Sequence, residues 1–437
     1  IRYFQTDRTL TRIVSPPLKR YNIVLFTLIV CACSVQAQTV EPITYKQYMH
    51  KVSADNLEYA AEKMNVSAAH ADVIAAKVFD DPSLSFTYSN NEDHTLQMGQ
   101  SYELELSQNV TLGRRTAGIK LARSQNELAE IVLDDYFRNL QADATIAYLE
   151  VMKQKQLSDI KRSAWSNMYD LAKSDSIRLA SGKIMEVESI QSRLEADIMY
   201  NEVLQAETDL KQAYMQLSLF VGTTVTDTLF HPAEELKKPE QVFVLNGLIE
   251  GAIEHRSDLL AALKNTEVAR RELILAKREK RPDVEFSLGW SHNKRVRNEE
   301  APAPAFNGVS AGIAIPLNFS SLNRGAVNAA RFRARQAELQ YEQMCLQVQR
   351  EVMGAYQQFQ SQALQVKHYE GGILKQAQDV LEGKIYSYNR GEVSLLEILN
   401  AQRTYDEVQA QYIETLFNYN AALVELERSC GIWDIKG

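Results

Sequence analysis

Hydrophobic and polar positions along this chain change period in a fixed order, and they do so twice. After Pro82, the residues Leu84, Phe86 and Tyr88 alternate with Ser83, Ser85, Thr87 and Ser89; past a polar stretch, Tyr102, Leu104 and Leu106 alternate with Glu103, Glu105 and Ser107. A period of two with one apolar and one polar face predicts a β-hairpin over 82–110. The pattern returns over 282–316. There Val284, Phe286, Leu288 and Trp290 alternate with Glu285, Ser287 and Gly289, and Val309, Ala311, Ile313 and Ile315 follow a longer loop at 292–307. Each hairpin gives way to a period near 3.6. From Gly325 to about Asn389 the apolar positions are Val348, Val352, Ala355, Phe359, Ala363, Val366, Tyr369, Ile373, Ala377 and Val380. That spacing predicts an amphipathic rod of roughly 95 Å at 1.5 Å per residue. Gly371-Gly372 is a weak point within it. The first half repeats the rod from about Thr116 to Ala180.

The two halves are copies in register. Residues 56–81 lie over 256–281 at a spacing of 200, with Asn65 over Asn265 and Pro82 over Pro282; farther on the spacing is 209, with Gly182 over Gly391 and Glu188 over Glu397. The change of register falls in the 292–307 loop, where an insertion is tolerated because a hairpin tip is exposed. Each rod stops at a Gly and the chain returns as another helix, over 185–220 and 394–428, which is the stop–start signal of a helical hairpin with Ser394 as a candidate N-cap. The predicted organisation is a leader (1–37), a first repeat (38–220, tip 180–185), an equatorial linker (221–245), a second repeat (246–430, tip 389–394) and a tail (431–437). A long-period duplication fixes the architecture before any element is assigned.

Composition narrows the picture. The chain has 437 residues, 48 Lys+Arg against 56 Asp+Glu and a formal net charge of −8, which argues against nucleic acid as a partner. One strongly apolar run, 23–35, follows Lys19-Arg20 and precedes Val35-Gln36-Ala37. This reads as a signal peptide cut after Ala37, with residues 1–18 outside the fold. Cys33 after Ala32 leaves acylation as an alternative. No other run reaches the ~18 apolar residues of a spanning helix, so any membrane crossing falls to the strands. Four strands of about nine residues suit that task, and Glu on the polar faces suits a wet lumen. Alternation alone also fits the edge of a soluble sandwich. Two hairpins cannot close a barrel, so crossing requires oligomerisation.

The stretch Arg390-Gly-Glu-Val-Ser-Leu-Leu-Glu-Ile-Leu-Asn-Ala-Gln402 resembles the tip of the outer-membrane factor family, the TolC-like outer-membrane efflux proteins. The junctions Leu112-Gly-Arg-Arg115 and Leu322-Asn-Arg-Gly325 are similar to that family too, and the likeness covers nearly all of 43–430. It implies a mainly α fold with a membrane β-barrel portion: a homotrimer forming a 12-stranded barrel in outer-membrane lipid and a 12-helix periplasmic tunnel. The implied partners are a periplasmic adaptor (membrane fusion) protein and an inner-membrane efflux pump. The tip turns Gly182, Gly391 and Arg390 would dock them. Glu397 and Asn400 match two carboxylate positions of the family's periplasmic aperture, Asn400 departing from the second acid. Three copies of Glu397 in a narrow pore would raise one another's pKa. Tyr388 matches a Tyr that latches to an acid of the first repeat, here Glu188; Val393 stands where the other latch has an Arg.

No P-loop, GxSxG, HExxH or CxxC is present, and the seven His form no ligand-spaced cluster. The reading is a non-enzyme without a cofactor or metal. Cys345 and Cys430 lie at similar heights about the Gly391 tip, roughly 10 Å apart axially, and are a candidate disulfide in an oxidising compartment. A coiled-coil structural or adhesion protein of the envelope explains the rods but leaves the hairpins at their heads unexplained.

Overall fold

The structure is a computed structural model, and it describes residues 39–92, 97–222, 228–238, 243–316 and 324–433. The expected leader with its cleavage site, Cys33, the Leu322-Asn323 part of the second junction and most of the tail lie outside the described residues.

A short strand β1 (Thr39–Ile43) opens the fold, followed by helices α1 (Tyr45–Asp55) and α2 (Leu57–Ala75). Thr44 caps α1 in a reciprocal box with Gln47, and Asn56 caps α2 by accepting the Tyr59 N–H at 2.8 Å. Then come β2 (Ser83–Asn90), β3 (Gln100–Val110), the rod α3 (Arg114–Ala180) and its return helix α4 (Glu186–Phe220). The second passage is β4 (Thr228–Pro232), α5 (Leu245–His255), α6 (Ser257–Arg278), β5 (Val284–Asn293) and β6 (Phe306–Ala314). It ends with α7 (Arg324–His368), a π-helical turn (Tyr369–Ile373), α8 (Leu374–Asn389) and α9 (Leu395–Cys430). Rod α3 runs unbroken for 67 residues, about 100 Å. Its counterpart is interrupted at the Gly pair, where Gly372 takes φ 143°, a conformation that favours glycine.

The two hairpins join into one antiparallel sheet in the order β2-β3-β5-β6. Register sorts its two faces. Rungs such as Leu84–Leu106–Leu288–Ala311 and Phe86–Leu104–Trp290–Val309 lie on one face; Ser85–Glu105–Gly289–Ser310 and Thr87–Glu103–Ser291–Gly308 lie on the other. The apolar face is bare: Leu84 is 67 %, Phe86 66 % and Val309 78 % exposed. Contiguous exposed apolar area of this kind marks an interaction surface. None of the described helices is long and apolar enough to cross a membrane.

Below the sheet, α3 packs on α4, α6, α9 and α2, while α7 packs on α6 and α9. The largest core lies midway down, at a waist where β1 pairs in parallel with β4. Tyr148 of α3 ties β1 and the linker together there. Its hydroxyl lies 3.0 Å from the Ile43 carbonyl oxygen and against the Glu234 carboxylate, its one proton shared between these two acceptors, beside fully buried Tyr48. The C-terminal end of α9 is held by two arginines. Arg256 donates to the Ser429 carbonyl at 3.1 Å while paired with Asp258 and Glu351, and Arg138 donates to the Arg428 carbonyl. Cations at a helix C-terminus satisfy its last carbonyls and its dipole.

Lower down, Asp406 of α9 is 8 % exposed and accepts from the Gln402 amide at 2.8 Å. Burial pushes its carboxyl up to about 6, against the pull of the Gln402 amide and Lys161, with Glu202 adding to the rise. The folded chain therefore holds this proton more tightly than the unfolded one. Stability falls as pH rises from about 4 through about 6, and the ionised form costs up to about 3 kcal/mol at neutral pH. Asp406→Asn is expected to raise the thermal midpoint at pH 8 and leave it unchanged at pH 4. An equal gain at both pH values would contradict this.

A candidate gate at the helical tips

The two tips share one backbone design. At the first, Gly182 N–H bonds to Leu179 O and Lys183 N–H to Arg178 O; at the second, Gly391 N–H bonds to Tyr388 O and Glu392 N–H to Ser387 O, all between 2.9 and 3.0 Å. This is the Schellman stop in both cases. Gly182 and Gly391 take φ 71° and 75° with open space where a Cβ would sit, so backbone conformation alone requires glycine there. Ser394 stands at the N-cap of α9, but its side chain makes no capping bond.

Side chains then join the two repeats just above the tips. Tyr388, at the foot of α8, donates from its hydroxyl to Asp175 Oδ1 at 3.0 Å, and Asp175 on α3 is fully buried. Arg178, one turn below Asp175, closes the cluster. Its guanidinium lies 3.7 Å from Asp175 Oδ1 and 5.0 Å from the Tyr388 ring centre, and it donates to both Asn389 O and Asn389 Oδ1. Burial pushes the Asp175 carboxyl above the usual range, opposed by the Tyr388 hydroxyl and Arg178. Burial and the neighbouring Asp175 charge push Tyr388 up to about 12. The hydroxyl thus stays protonated and able to donate. A small apolar cluster containing Met168, Ala172, Met199, Leu395 and Ile398 packs around Tyr388. Higher up, Arg403 of α9 pairs with Glu195 of α4 at 2.6 Å, a further bond between repeats.

Tyr388 therefore reaches Asp175, which corrects the expected Glu188 latch. Glu188 sits in the first turn of α4 and accepts the Met185 N–H at 3.1 Å, so it is spent on capping its own helix. Glu397 is also not a bare acid. Within one chain, Lys384 of α8 bonds it at 2.6 Å and holds its carboxyl below the ordinary range, helped by the Ser394 backbone. Asn400 is exposed three residues on, on the same helical face. Arg390 lies at the tip surface, bonded to the Tyr386 hydroxyl and to Glu392. Val393 packs against the apolar cluster.

Both Cys345 and Cys430 are free thiols, which corrects the candidate disulfide. Two helical turns of axial offset exceed the Cα separation of about 4.4–6.8 Å that a disulfide allows. Burial pushes the Cys430 thiol up to about 11. Among the described residues no group of three or more His, Cys, Asp or Glu is placed to hold a metal ion.

Comparison with known proteins now bears on this geometry. The family model "Outer membrane efflux protein" matches residues 248–432. The cobalt-zinc-cadmium resistance protein CzcC of Cupriavidus metallidurans is 23% identical over 406 residues, 89% of this chain and 90% of that protein. Outer membrane protein TolC of Escherichia coli is 20% identical over 360 residues, 78% of this chain and 70% of that protein. Among solved structures, CusC aligns with a TM-score of 0.73 at 17% identity over 92% of this chain and 96% of that chain. The Campylobacter jejuni CmeC outer membrane channel aligns at 0.72 and 14% identity over 92% and 90%. These matches bear out the resemblance read from the sequence, and the alignments bear out a mainly helical chain with a few strands. The chain is thus similar to outer-membrane efflux proteins.

Sequence reading missed Asp175, Arg178, Asn389 and Lys384. A faint signal was there: Asp175 and Arg178 stand one turn apart just above the Gly182 stop, as Tyr388-Asn389 stand above Gly391. Tyr388→Phe should remove the Tyr388 donor from buried Asp175, at a cost of about 1–3 kcal/mol, and speed amide hydrogen exchange over residues 385–395. An unchanged exchange rate there would show that the bond does not hold the tips.

Proposed function

We propose that the chain is the outer-membrane component of a tripartite efflux system, a passive homotrimeric conduit serving an inner-membrane pump and a periplasmic adaptor. One observation carries this reading. A four-stranded sheet with an exposed apolar face and a polar opposite face heads helices none of which, among the described residues, is long and apolar enough to cross a membrane. Such a sheet suits lipid on one side and water on the other, and its end strands need partners that copies of the chain would supply. The paired tips, closed within each chain by Tyr388, Asp175 and Arg178, support a periplasmic gate, with Glu397 and Asn400 beside it and the turns at Gly182, Gly391 and Arg390 as docking points.

The polar face carries Glu103, Glu105 and Glu285, and its other described positions are Ser, Thr, Asn, Gly, Ala and, at one end, Phe. Carboxylates without basic neighbours on a lumen wall favour cations. In planar bilayers the purified protein is expected to give cation-preferring channels. Replacing all three with Gln should abolish most of that preference while keeping conductance. A protein soluble without detergent and silent in bilayers would instead support the adhesion or scaffold alternative.

A further inference from the structure

The loop end of the sheet carries a feature that neither barrel closure nor the gate requires. Four rings cross three strands in a row at the margin of the apolar face. Trp290 lies 6.3 Å from His292, His292 lies 6.5 Å from Tyr102, and Tyr102 lies 5.2 Å from Tyr88, centre to centre. His292 is oriented by Nδ1 at 2.8 Å from Asn307 Oδ1. Amphipathic rings of this kind sit at a membrane–water interface.

One rung beyond lies Lys294. Its N–H donates to Gln100 O at 2.8 Å, so the β3–β5 ladder continues to this position. Alternation then puts it on the same face as Trp290 and His292. Its ammonium group lies 5.5 Å from the Tyr102 ring centre and donates to Gln100 Oε1 at 2.8 Å, and the residue is exposed. A lysine held over a ring at the apolar margin, with ammonium protons still open to solvent, suits an anion at head-group level. Net loop charge does not create this preference. Arg295 and Arg297 are balanced in the same loop by Glu299 and Glu300, and Gln100 also donates to Glu92 at 3.4 Å. The placement of Lys294 on the lipid-side face creates it.

We propose that Lys294, held in place by Gln100 and the Tyr102 ring, binds the phosphate of a phosphorylated glycolipid in the outer leaflet. This rests on the barrel reading above, which puts the loop end, opposite the rods, at the outer surface. The ammonium group meets the phosphate while the rings cover the first part of the acyl region. The site sits at the fixed height where the apolar rungs end, so it also sets the depth of the barrel in the bilayer.

The test uses the full-length protein in detergent micelles and measures binding of lipid A in bisphosphorylated and dephosphorylated forms. Wild-type protein should prefer the phosphorylated form by about fivefold, the worth of one basic side chain at an anionic lipid surface. Lys294→Gln should erase the preference and Lys294→Arg should keep it, with a large excess of inorganic phosphate failing to displace the lipid. Equal binding of both forms by wild type, or a preference that survives Lys294→Gln, would overturn the proposal. Displacement by inorganic phosphate would assign the site to a free anion and overturn the lipid. Conductance of the same preparations, unchanged in Lys294→Gln, separates failure of this site from failure of the barrel itself.

Discussion

The backbone groups along the outer sides of β2 and β6, the end strands of the sheet, have no ladder partner among the described residues, and lipid supplies none. Much of the remaining organisation is intelligible as an answer to that constraint. A four-stranded sheet bare on its apolar face is unstable alone and prone to edge pairing. Continued by copies of itself, it can close with every ladder bond made, the polar face turned inward. The rods follow from the same requirement. Each strand pair delivers the chain to one end of the sheet, and long amphipathic helices carry it on, packed against one another instead of against a globular core.

Duplication makes this economical, and the two copies have since diverged where chemistry matters. The Schellman stops at Gly182 and Gly391 are alike in their backbone bonds. Around them, the first repeat supplies Asp175 and Arg178 from an unbroken rod. The second supplies Tyr388, Asn389 and Lys384 from a helix that follows a π-helical turn. A buried acid on one arm and a hydroxyl donor on the other form a bond that neither arm can make with itself. Burial strengthens the bond and also makes the unpartnered acid costly.

Most of the fold was legible because it is written in local periods. Leu84, Phe86 and Tyr88 against Ser83, Ser85 and Thr87 announce a strand, and the step from Val348 to Val366 announces a rod. The β1–β4 pair was not legible: Thr39–Ile43 is five residues long with a Pro at position 42, and its partner is 189 residues away. The gate was half legible. Gly182, Gly391 and Tyr388 stand out along the chain, whereas the partner of Tyr388 depends on the relative height of two helices 213 residues apart in sequence. Glu188 looked suitable by its matching register, but a first-turn Glu is drawn to its own helix N-terminus. Lys384 and Glu397 face each other across the Gly391 turn, a pairing that depends on how that turn folds back.

Closure of the sheet between chains is the central claim, and cysteine cross-linking tests it most directly. One cysteine is placed on the polar face of β2 and another on that of β6, scanned over pairs of rungs in otherwise cysteine-free protein from native membranes. The account predicts disulfides between different chains at a narrow set of rungs, giving covalent monomer, dimer and trimer and nothing larger. Cross-links confined to single chains, or a ladder that continues past three, would contradict it.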